Sequence, residues 1–441
     1  MRASAILRQS RFVSFDGAVS LSTWHQRPDR YRNLEQDLGN MPRIARGGGY
    51  SYAAASFGEG VVVQQMSAFN RLLEFDGHSK LRVEAGATLE TLIRWAGQRS
   101  LILPILPGYP LITVGGCLAA DVHGKNPLRD GTFADWVEAF TLFRPGIGFE
   151  TVTRDRNASL FETTCGGFGL TGTIVDVTLR LARRPGHSVS IERQPISLHE
   201  AVEALREAGA SDLAYSWHDG TKRGAAFGRG ILYRGAWSEA APAIDRASYR
   251  LMTANDRGRW RLNLWNRASA AAANALIAYV GNRGAAKEQG LFETAFPLAR
   301  HSIYNRLYGR NGLVEVQVLI SDDAVATFIR ELQRLVERFD PLLVMMSTKR
   351  FRGRQRSLSL SGEGTLLAVD LARSVRTERF LPEFDALTVQ TASQPNVSKD
   401  SRLPGPIAAR TLPNYASFRE QIARIDPQRL HQSELSRRLG L

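Results

Sequence analysis

The segment "CGGFGLTGTIVDVTLRL" occupies residues 165–181 and contains four glycines within seven residues, which form either a dinucleotide-binding turn or a glycine loop with another role. Within it, Gly167-Phe-Gly169-Leu-Thr-Gly172 fits the G-x-G-x-x-G pattern of dinucleotide-binding turns. In such a turn a helix begins at the last glycine, so that its N-terminal N–H groups meet the pyrophosphate. After Gly172, however, apolar and polar residues alternate, which predicts a half-buried strand. A Rossmann turn is therefore not predicted here.

Two further glycine clusters precede this one. They read "ARGGGYSY" at residues 45–52 and "PGYPLITVGGCLAADVHGKN" at residues 107–126. A single glycine cluster is more often a turn than a binding site. Three clusters together favour a large anionic cofactor, because glycine lets backbone N–H groups approach phosphate oxygens closely.

Length and composition are those of a globular protein. The chain has 441 residues, 43% of them hydrophobic and 23% charged, which is enough for two or three domains with full cores. Its most apolar region, residues 101–120, is broken by three prolines and three glycines, so no membrane span is predicted. The first residues lack the apolar core of a signal peptide, and a cytoplasmic location is expected.

Cys117, Cys165 and the eight histidines show no metal-ligand spacing, so no metal site is predicted.

The net charge of +14 favours polyanionic partners, such as nucleic acids, anionic lipid headgroups or phosphorylated substrates. No helix-turn-helix, zinc-finger or RNP-type pattern is found, so a nucleic-acid partner is not predicted. Arginines alternate with aromatic residues in "NDRGRWRLNLWNR" at residues 255–267. This basic segment fits either a membrane-facing surface or a solvated face with buried tryptophans.

The pattern along the chain predicts two α+β domains. Short strands are predicted at 60–66, 80–86 and 149–154, and a helix at 88–100 with Thr88 as its N-cap and Leu89, Leu92, Ile93 and Ala96 on one face. A loop is predicted at 183–187. Beyond it we predict strands at 313–320, 342–351 and 365–372, and a helix at 322–340 that buries Val325, Phe328, Ile329, Leu332 and Phe339.

In order and separation, the three glycine clusters resemble the FAD-binding domain of the vanillyl-alcohol-oxidase superfamily, the PCMH-type fold. In that family the first two clusters hold the FAD pyrophosphate through backbone amides, and the third packs against the cofactor without a Rossmann helix. The resemblance implies that the FAD-binding residues are Arg46, Gly47, Gly48, Gly49, Tyr50, Ser51, Thr113, Val114, Gly115, Gly116, His123, Gly124, Asn126, Gly167, Gly169, Gly172, Ile174 and Lys399.

Longer segments are similar to the decaprenylphosphoryl-β-D-ribose 2-oxidase family. They are "TVGGCLAADVHGKN" (113–126), "YNRLYGRNGLVEVQ" (304–317), "KDSR" (399–402) and the tail at 425–441. This resemblance implies a PCMH-type FAD-binding domain that is split in sequence into residues 1–186 and 394–441. Between its two parts it implies an α+β substrate-binding domain with an antiparallel sheet, residues 187–393.

The same resemblance implies oxidation of the 2-hydroxyl of a polyprenylphosphoryl-β-D-ribose to the 2-keto intermediate of arabinose-donor synthesis. A separate NAD(P)H-dependent keto-reductase would complete the epimerisation, and peripheral contact with the inner face of the membrane is implied by the lipid substrate. Two alternatives stay open. One is a sugar, alditol or aldonolactone oxidase of the same superfamily with a soluble substrate; the other is a basic membrane- or nucleic-acid-binding protein whose glycine loops are structural.

Oxidation of an alcohol by a flavin requires a group that takes the hydroxyl proton and positive charge for the reduced flavin. By resemblance, Lys399 supplies that charge, and His123 and Lys125 lie beside the flavin and the sugar. Without the motif, His123 is equally a structural histidine that orients its loop. The sugar pocket is implied to contain Tyr308, Gln317, Lys349, Ala368 and Asn396.

Noncovalent FAD is expected. Tyr50 stands where many relatives have a tethering histidine, and Leu111 and Ile112 stand where others have a tethering cysteine. Cys117 is predicted to be a small buried hydrophobe. In the mycobacterial-type oxidases a cysteine occupies the position of Ala368 and a tyrosine that of Asn396, so the pocket of this chain differs in shape.

Overall fold

The computed structural model describes residues 6–240, 263–281, 286–297, 307–309 and 311–441. Its strands, in chain order, are β1 (Arg8–Val13), β2 (Ser20–Gln26), β3 (Arg43–Arg46), β4 (Val62–Gln65), β5 (Leu72–Phe75), β6 (Lys80–Glu84), β7 (Leu101–Ile102), β8 (Val137–Arg144), β9 (Gly148–Thr153), β10 (Thr173–Arg180), β11 (Ala182–Arg183), β12 (Ser188–Ile196), β13 (Leu213–His218), β14 (Gly230–Ser238), β15 (Lys287–Gln289), β16 (Leu313–Ile320), β17 (Leu343–Phe351), β18 (Gly364–Ala372) and β19 (Gln394–Pro395).

The α-helices of the same residues are α1 (Tyr31–Leu34), α2 (Leu89–Gly97), α3 (Val114–Ala120), α4 (Pro127–Asp130), α5 (Ala158–Thr164), α6 (Leu198–Glu207), α7 (Arg267–Gly281), α8 (Leu291–Ala295), α9 (Val325–Phe339), α10 (Val375–Gln390), α11 (Gly405–Thr411), α12 (Tyr415–Ile425) and α13 (Glu434–Leu439). Helices and antiparallel sheets are mixed, which confirms the α+β prediction.

The first part of the chain forms a four-stranded sheet in the order β1-β2-β4-β3 and a five-stranded sheet in the order β5-β6-β10-β8-β9. The residues after Gly172 form β10, a central strand that pairs with both β6 and β8. The prediction of a strand instead of a Rossmann helix is therefore confirmed.

Burial along β10 differs from the predicted alternation. Asp176 is buried, although it was predicted on the polar side of the strand. Its carboxylate accepts hydrogen bonds from Arg82 at 2.9 and 3.0 Å and from the Thr141 hydroxyl at 3.0 Å. Because both faces of this central strand are covered, a polar residue here must find its partners inside the protein.

Two predicted helices are confirmed with small changes. The Thr88 hydroxyl accepts a hydrogen bond from the Thr91 amide at the start of α2, as an N-cap does. Helix α9 buries four of the five predicted residues, but Val336 takes the place of Phe339, which is only partly buried at the last turn.

An eight-stranded sheet of order β15-β12-β14-β13-β17-β18-β16-β19 dominates the rest of the structure, and its strand pairs are antiparallel. One face is apolar and packs on α9 and α10 through residues such as Val316, Val369 and Met346. On the other face Gln317, Ala368, Ser347 and Trp217 lie side by side across four strands. We call this second side of the sheet the pocket face.

The C-terminal helices pack against the N-terminal part of the chain. Leu403, Phe418 and Leu439 share a hydrophobic core with Ile44 and Phe168. This contact is what a split first domain requires, and the division at residues 186 and 394 stays a prediction.

Within the described ranges, no helix combines the length and apolarity needed to cross a bilayer. Residues 255–262 of the basic segment, and residues 304–306 and 310 of the segment before β16, lie outside the described residues.

Candidate active site

The three glycine clusters come together around α3. The Gly166 amide donates to the Leu118 carbonyl at 3.1 Å, and the Phe168 amide donates to the Ala119 carbonyl at 2.8 Å. A Cβ atom added to Gly47 would lie 2.0 Å from the Thr113 hydroxyl oxygen, so the first cluster fits against the second only as glycine. The predicted association of the three clusters is thus present in the structure.

Three backbone donors of the second cluster are bonded within the protein. The Val114 and Gly115 amides donate to the Ala87 and Ala85 carbonyls at 2.9 and 2.8 Å, and the Gly116 amide donates to the Thr113 hydroxyl at 3.3 Å. These amides are already bonded because the cluster pairs with the loop after β6 and begins α3. These three amides therefore have partners within the protein, and a role of Thr113, Val114, Gly115 and Gly116 in binding FAD stays a prediction.

The first cluster, in contrast, presents open donors beside a buried cation. The amides of Gly48 and Gly49 make no hydrogen bond within the described residues. Beside them the Arg46 guanidinium lies over the rings of Phe12 and Phe57, 5.1 and 5.6 Å from their centres. Burial lowers the pKa of Arg46 to about 10, and among the described residues no carboxylate pairs with it. Two amides and an uncompensated guanidinium form a cradle for an anion.

His123 is held in a fixed orientation between the second cluster and the large sheet. Its Nδ1 lies 3.1 Å from the Gly124 carbonyl oxygen, and its ring contacts the Phe351 ring edge-on at 4.9 Å. Nε2, in contrast, makes no hydrogen bond within the described residues and is the ring nitrogen left for a ligand. Burial, together with the nearby charge of Lys349, holds the pKa of His123 well below its usual value.

Two lysines lie next to this histidine. Lys349 extends from β17, and its Nζ donates to the Gly124 carbonyl at 3.1 Å and lies 3.4 Å from His123 Nδ1. The Nζ of Lys125 lies 5.1 Å from the centre of the Tyr215 ring. Burial and the charges of Lys125 and Lys399 hold the pKa of Lys349 well below its usual value, and burial lowers the pKa of Lys125 to about 8.

Lys399 begins a chain of polar contacts along the edge of the pocket face. Its Nζ donates to the Glu315 carboxylate at 3.1 Å and lies 4.1 Å from the centre of the Tyr52 ring. The same carboxylate accepts a hydrogen bond from the Gln317 amide. Asn396 in turn donates to the Gln317 side-chain oxygen at 2.7 Å. The structure thus brings Lys399, Gln317 and Asn396 together, and their roles stay predictions.

Sequence reasoning missed Glu315. The available clue was the strand "LVEVQVLI" (313–320), in which Glu315 and Gln317 are the only polar residues and are two positions apart. Both side chains therefore lie on one face of a strand that is otherwise apolar. Trp217 was missed as well; its side chain is buried on the pocket face, and its indole N–H has no hydrogen-bond partner within the described residues.

The site is rich in positive charge. Three lysine side chains, those of Lys125, Lys349 and Lys399, lie around His123, and Glu315 pairs with only one of them. Asp370 lies beside Glu315 across the β16–β18 ladder. Even with this second acid, the lysines outnumber the carboxylates, and a bound anion would favour their charged forms.

Three other residues of the predicted site, Asn126, Tyr308 and Ala368, have different surroundings. Asn126 donates to the Ser211 carbonyl at 2.6 Å. Tyr308 is buried in an aromatic cluster that includes Tyr52 and Trp265, so its place in a sugar pocket stays a prediction. Ala368 lies between Gln317 and Ser347 on the pocket face, where its small side chain leaves room.

The chain is similar in sequence to known FAD-binding proteins. Residues 38–146 match the family described as FAD binding domain. The chain is 26% identical over 422 residues to decaprenylphosphoryl-β-D-ribose oxidase of Mycolicibacterium smegmatis, which covers 90% of this chain and 89% of that protein. It is 29% identical over 374 residues to an uncharacterized protein in the mprA 5′ region of Streptomyces coelicolor, covering 77% and 96%. Similarity to D-lactate dehydrogenase of Anaerostipes hadrus, at 27% identity, covers 31% of this chain and 30% of that enzyme.

The cofactor is FAD, and the cradle described above fits it. Gly48 and Gly49 offer backbone donors, and Arg46 offers a buried charge without a carboxylate. These three residues would hold the negatively charged part of the cofactor. Cys117 is fully buried in the hydrophobic core, as predicted.

Proposed function

We propose that this FAD-dependent oxidoreductase, which resembles decaprenylphosphoryl-β-D-ribose oxidase, oxidises the 2-hydroxyl of a polyprenylphosphoryl-β-D-ribose to a ketone. The observation that carries the proposal is the cationic group of Lys125, Lys349 and Lys399 around His123, next to the FAD-binding segments. A sugar linked through a phosphodiester brings a negative charge that these ammonium groups would neutralise.

His123 is the proposed proton acceptor. Its imidazole is neutral because burial lowers its pKa, and Nδ1 is occupied by the Gly124 carbonyl. Nε2 is then the nitrogen that takes the proton of the 2-hydroxyl. Bound FAD supplies the acceptor for the hydride that leaves the carbinol carbon.

Lys399 is proposed to stabilise the negative charge that develops during the reaction. Its ammonium group is held by Glu315 and lies over the Tyr52 ring, so its position does not depend on the substrate. Glu315 acts through Lys399 and Gln317 and is a positioning residue.

The pocket face is proposed to bind the ribose. Gln317 and Asn396 form one polar edge, and the Trp217 indole N–H supplies a buried donor that has no partner among the described residues. Between them, Ala368 and Ser347 present only small side chains. Sugar hydroxyls would satisfy the orphaned donor, whose burial without a partner is costly.

Noncovalent attachment of FAD, and the division into a split FAD-binding domain and a substrate-binding domain, are parts of the same proposal. So are a separate NAD(P)H-dependent keto-reductase, which would convert the 2-keto product to the arabinose, and peripheral contact with the inner face of the membrane, where a polyprenyl phosphate resides. Flotation with anionic vesicles tests the last point; a protein that stays at the bottom of the gradient would contradict it.

The deciding experiment uses the purified holoenzyme, farnesylphosphoryl-β-D-ribose and an artificial electron acceptor. We expect reduction of the acceptor and a product that, after reduction with borodeuteride, carries deuterium at C2 of the pentose. Deuterium at another carbon, or no turnover, would overturn the proposal. Acid precipitation of the same preparation should leave the flavin in the supernatant; flavin in the pellet would contradict noncovalent binding.

The alternative is an oxidase of soluble sugars, alditols or aldonolactones. It is favoured by the partial similarity to D-lactate dehydrogenase and, at 33% identity over 108 residues, to a probable L-gulonolactone oxidase of Arabidopsis thaliana. Turnover of free sugars or lactones at rates equal to those of the lipid-linked ribose would support it.

A further inference from the structure

A largely apolar cavity of about 140 Å³ opens next to the candidate active site. It lies between β7, β11 and α8 on one side and β12 and β13 of the eight-stranded sheet on the other. Its walls include Ile102, Leu106, Val189, Leu213, Leu291 and Ala295. The cavity is smaller than the ~300–1,000 Å³ of sites that enclose a whole ligand, so it suits one segment of a longer molecule.

The lining of this cavity also carries basic side chains, those of Lys125, Arg129 and Arg183. Lys125, whose charge acts on Lys349 and His123 in the active site, also lines the cavity. The acids nearby do not neutralise it, because Asp130 and Asp212 are both paired with Arg129. Within the described part of the chain, no carboxylate pairs with Lys125. A largely apolar cavity whose lining includes an ammonium group without a carboxylate partner matches an amphiphile with an anionic head.

We propose that this cavity binds the part of a polyprenyl chain nearest the phosphate, with Lys125 at the phosphate. The choice of a prenyl phosphate as occupant rests on the proposed function, whereas the match to an apolar anion rests on the cavity itself. Lys125 then marks the point where the ribose, bound on the pocket face, meets the lipid.

The test is calorimetric binding to the holoenzyme of farnesyl phosphate, farnesol and inorganic phosphate. Because both ends of the ligand contribute, we expect farnesyl phosphate to bind at least about tenfold more tightly than either fragment. Inorganic phosphate that binds as tightly as farnesyl phosphate would show that the cavity takes no chain, and farnesol that binds equally would show that Lys125 takes no phosphate. Either result would overturn the inference.

Ala182→Trp fills the cavity from β11, where Ala182 is only half-buried. We expect it to weaken farnesyl phosphate binding at least about tenfold, while Ala226→Trp, at a half-buried alanine in the turn that contacts α9, changes it less than about twofold. Unchanged binding in Ala182→Trp would overturn the inference. Leu291→Asp places a charge in the cavity wall and provides a second variant if Ala182→Trp loses its flavin.

The failure of this inference is distinguishable from the failure of the proposed function. In one case the wild-type protein binds farnesyl phosphate, both cavity variants abolish that binding, and farnesylphosphoryl ribose is not oxidised. This result would refute the proposed function and support the cavity as a binding site for an apolar anion. In the other case farnesylphosphoryl ribose is oxidised, but neither variant changes the binding of farnesyl phosphate. This result would support the proposed function and refute the cavity as the lipid site.

Discussion

The Lys399 ammonium group lies 3.1 Å from the Glu315 carboxylate, on the edge of the pocket face where Gln317 donates to the same carboxylate. This pair ties the segment after β19 to β16, the neighbouring strand near one edge of the eight-stranded sheet. It also makes Glu315 the acid that offsets part of the positive charge in the site.

Glu315→Gln should slow turnover about tenfold, equivalent to about 1.4 kcal/mol in the barrier, because Lys399 loses its ionic partner. The Glu315 charge also raises the pKa of Lys349, so its removal should move the alkaline limb of the activity profile to lower pH. Steady-state rates across pH measure both effects. Glu192→Gln, at an exposed position on β12, is the control; an unchanged profile in Glu315→Gln would refute the positioning role.

Lys399→Met should lower kcat by about 10²–10³-fold, the usual cost of losing one group that stabilises developing charge. FAD content, read from the absorption spectrum, should be retained because Arg46, Gly48 and Gly49 are untouched. Lys399→Arg should recover part of the rate, and Lys222→Met, at an exposed lysine, should have no effect. Full activity in Lys399→Met would assign the charge to another residue.

Binding of a phosphorylated ligand should weaken as pH rises. Burial lowers the pKa of Lys125 to about 8, so its ammonium group loses the proton as pH passes through this value. The Kd of farnesyl phosphate should therefore increase from about pH 7 to about pH 9, while the phosphate itself stays ionised above its pKa of about 6. Lys125→Gln should bind more weakly at pH 7 and lose much of this pH dependence. A wild-type Kd that is constant over the range would contradict the role of Lys125.

Trp217→Phe should raise KM for the lipid-linked ribose about five- to tenfold, the effect of losing one hydrogen bond of about 1–1.5 kcal/mol. The melting temperature should not fall, since the indole N–H has no partner within the described residues. This combination separates a substrate contact from a structural one: a lower melting temperature with unchanged KM would contradict the prediction.

Acid should destabilise the fold through His218. Its Nδ1 donates to the Gly228 carbonyl at 2.8 Å and its Nε2 accepts from the Ser216 hydroxyl at 2.7 Å, and burial lowers its pKa to about 4. Between about pH 6.5 and 4 the unfolded chain binds a proton that the folded chain does not, so the free energy of unfolding falls as pH falls, by up to about 3 kcal/mol. Above about pH 6.5 this contribution is complete and constant.

Denaturant titrations at a series of pH values measure this slope. His218→Gln should lower the stability at pH 7 and flatten the slope, leaving the part that buried His123 contributes in the same direction. His78→Gln, at an exposed histidine, should keep the wild-type slope. Identical slopes in wild type and His218→Gln would contradict the prediction.

Local sequence patterns predicted much of the fold, and family motifs predicted several residues of the site. The strand after Gly172, the Thr88 cap and the buried side of α9 follow from periodicity and capping within a few residues. The family motifs that contain Lys399 and His123 predicted both as residues of the site. Lys349 Nζ lies 3.4 Å from His123 Nδ1, although the two residues are 226 positions apart in sequence.

The features that sequence reasoning did not predict depend on contacts between segments that are distant in sequence. Glu315 acquires its role only when β16 meets the segment that carries Lys399. Trp217 acquires its place only when β13 pairs with β17. The bonded amides of Val114 and Gly115 likewise depend on the loop after β6, which no glycine pattern describes.

The proposed cradle of Arg46, Gly48 and Gly49 would make bound FAD the counter-charge of a buried guanidinium. Arg46 donates to the Ser56 hydroxyl at 2.8 Å but has no carboxylate partner within the described residues. Without an anion its buried charge is uncompensated, so the empty chain stands closer to unfolding than the loaded one. Free cofactor at about 100 times its Kd adds about 2.7 kcal/mol of stability by mass action. Supply of riboflavin to the cell would then set how many copies of this protein survive proteolysis, as well as how many are active.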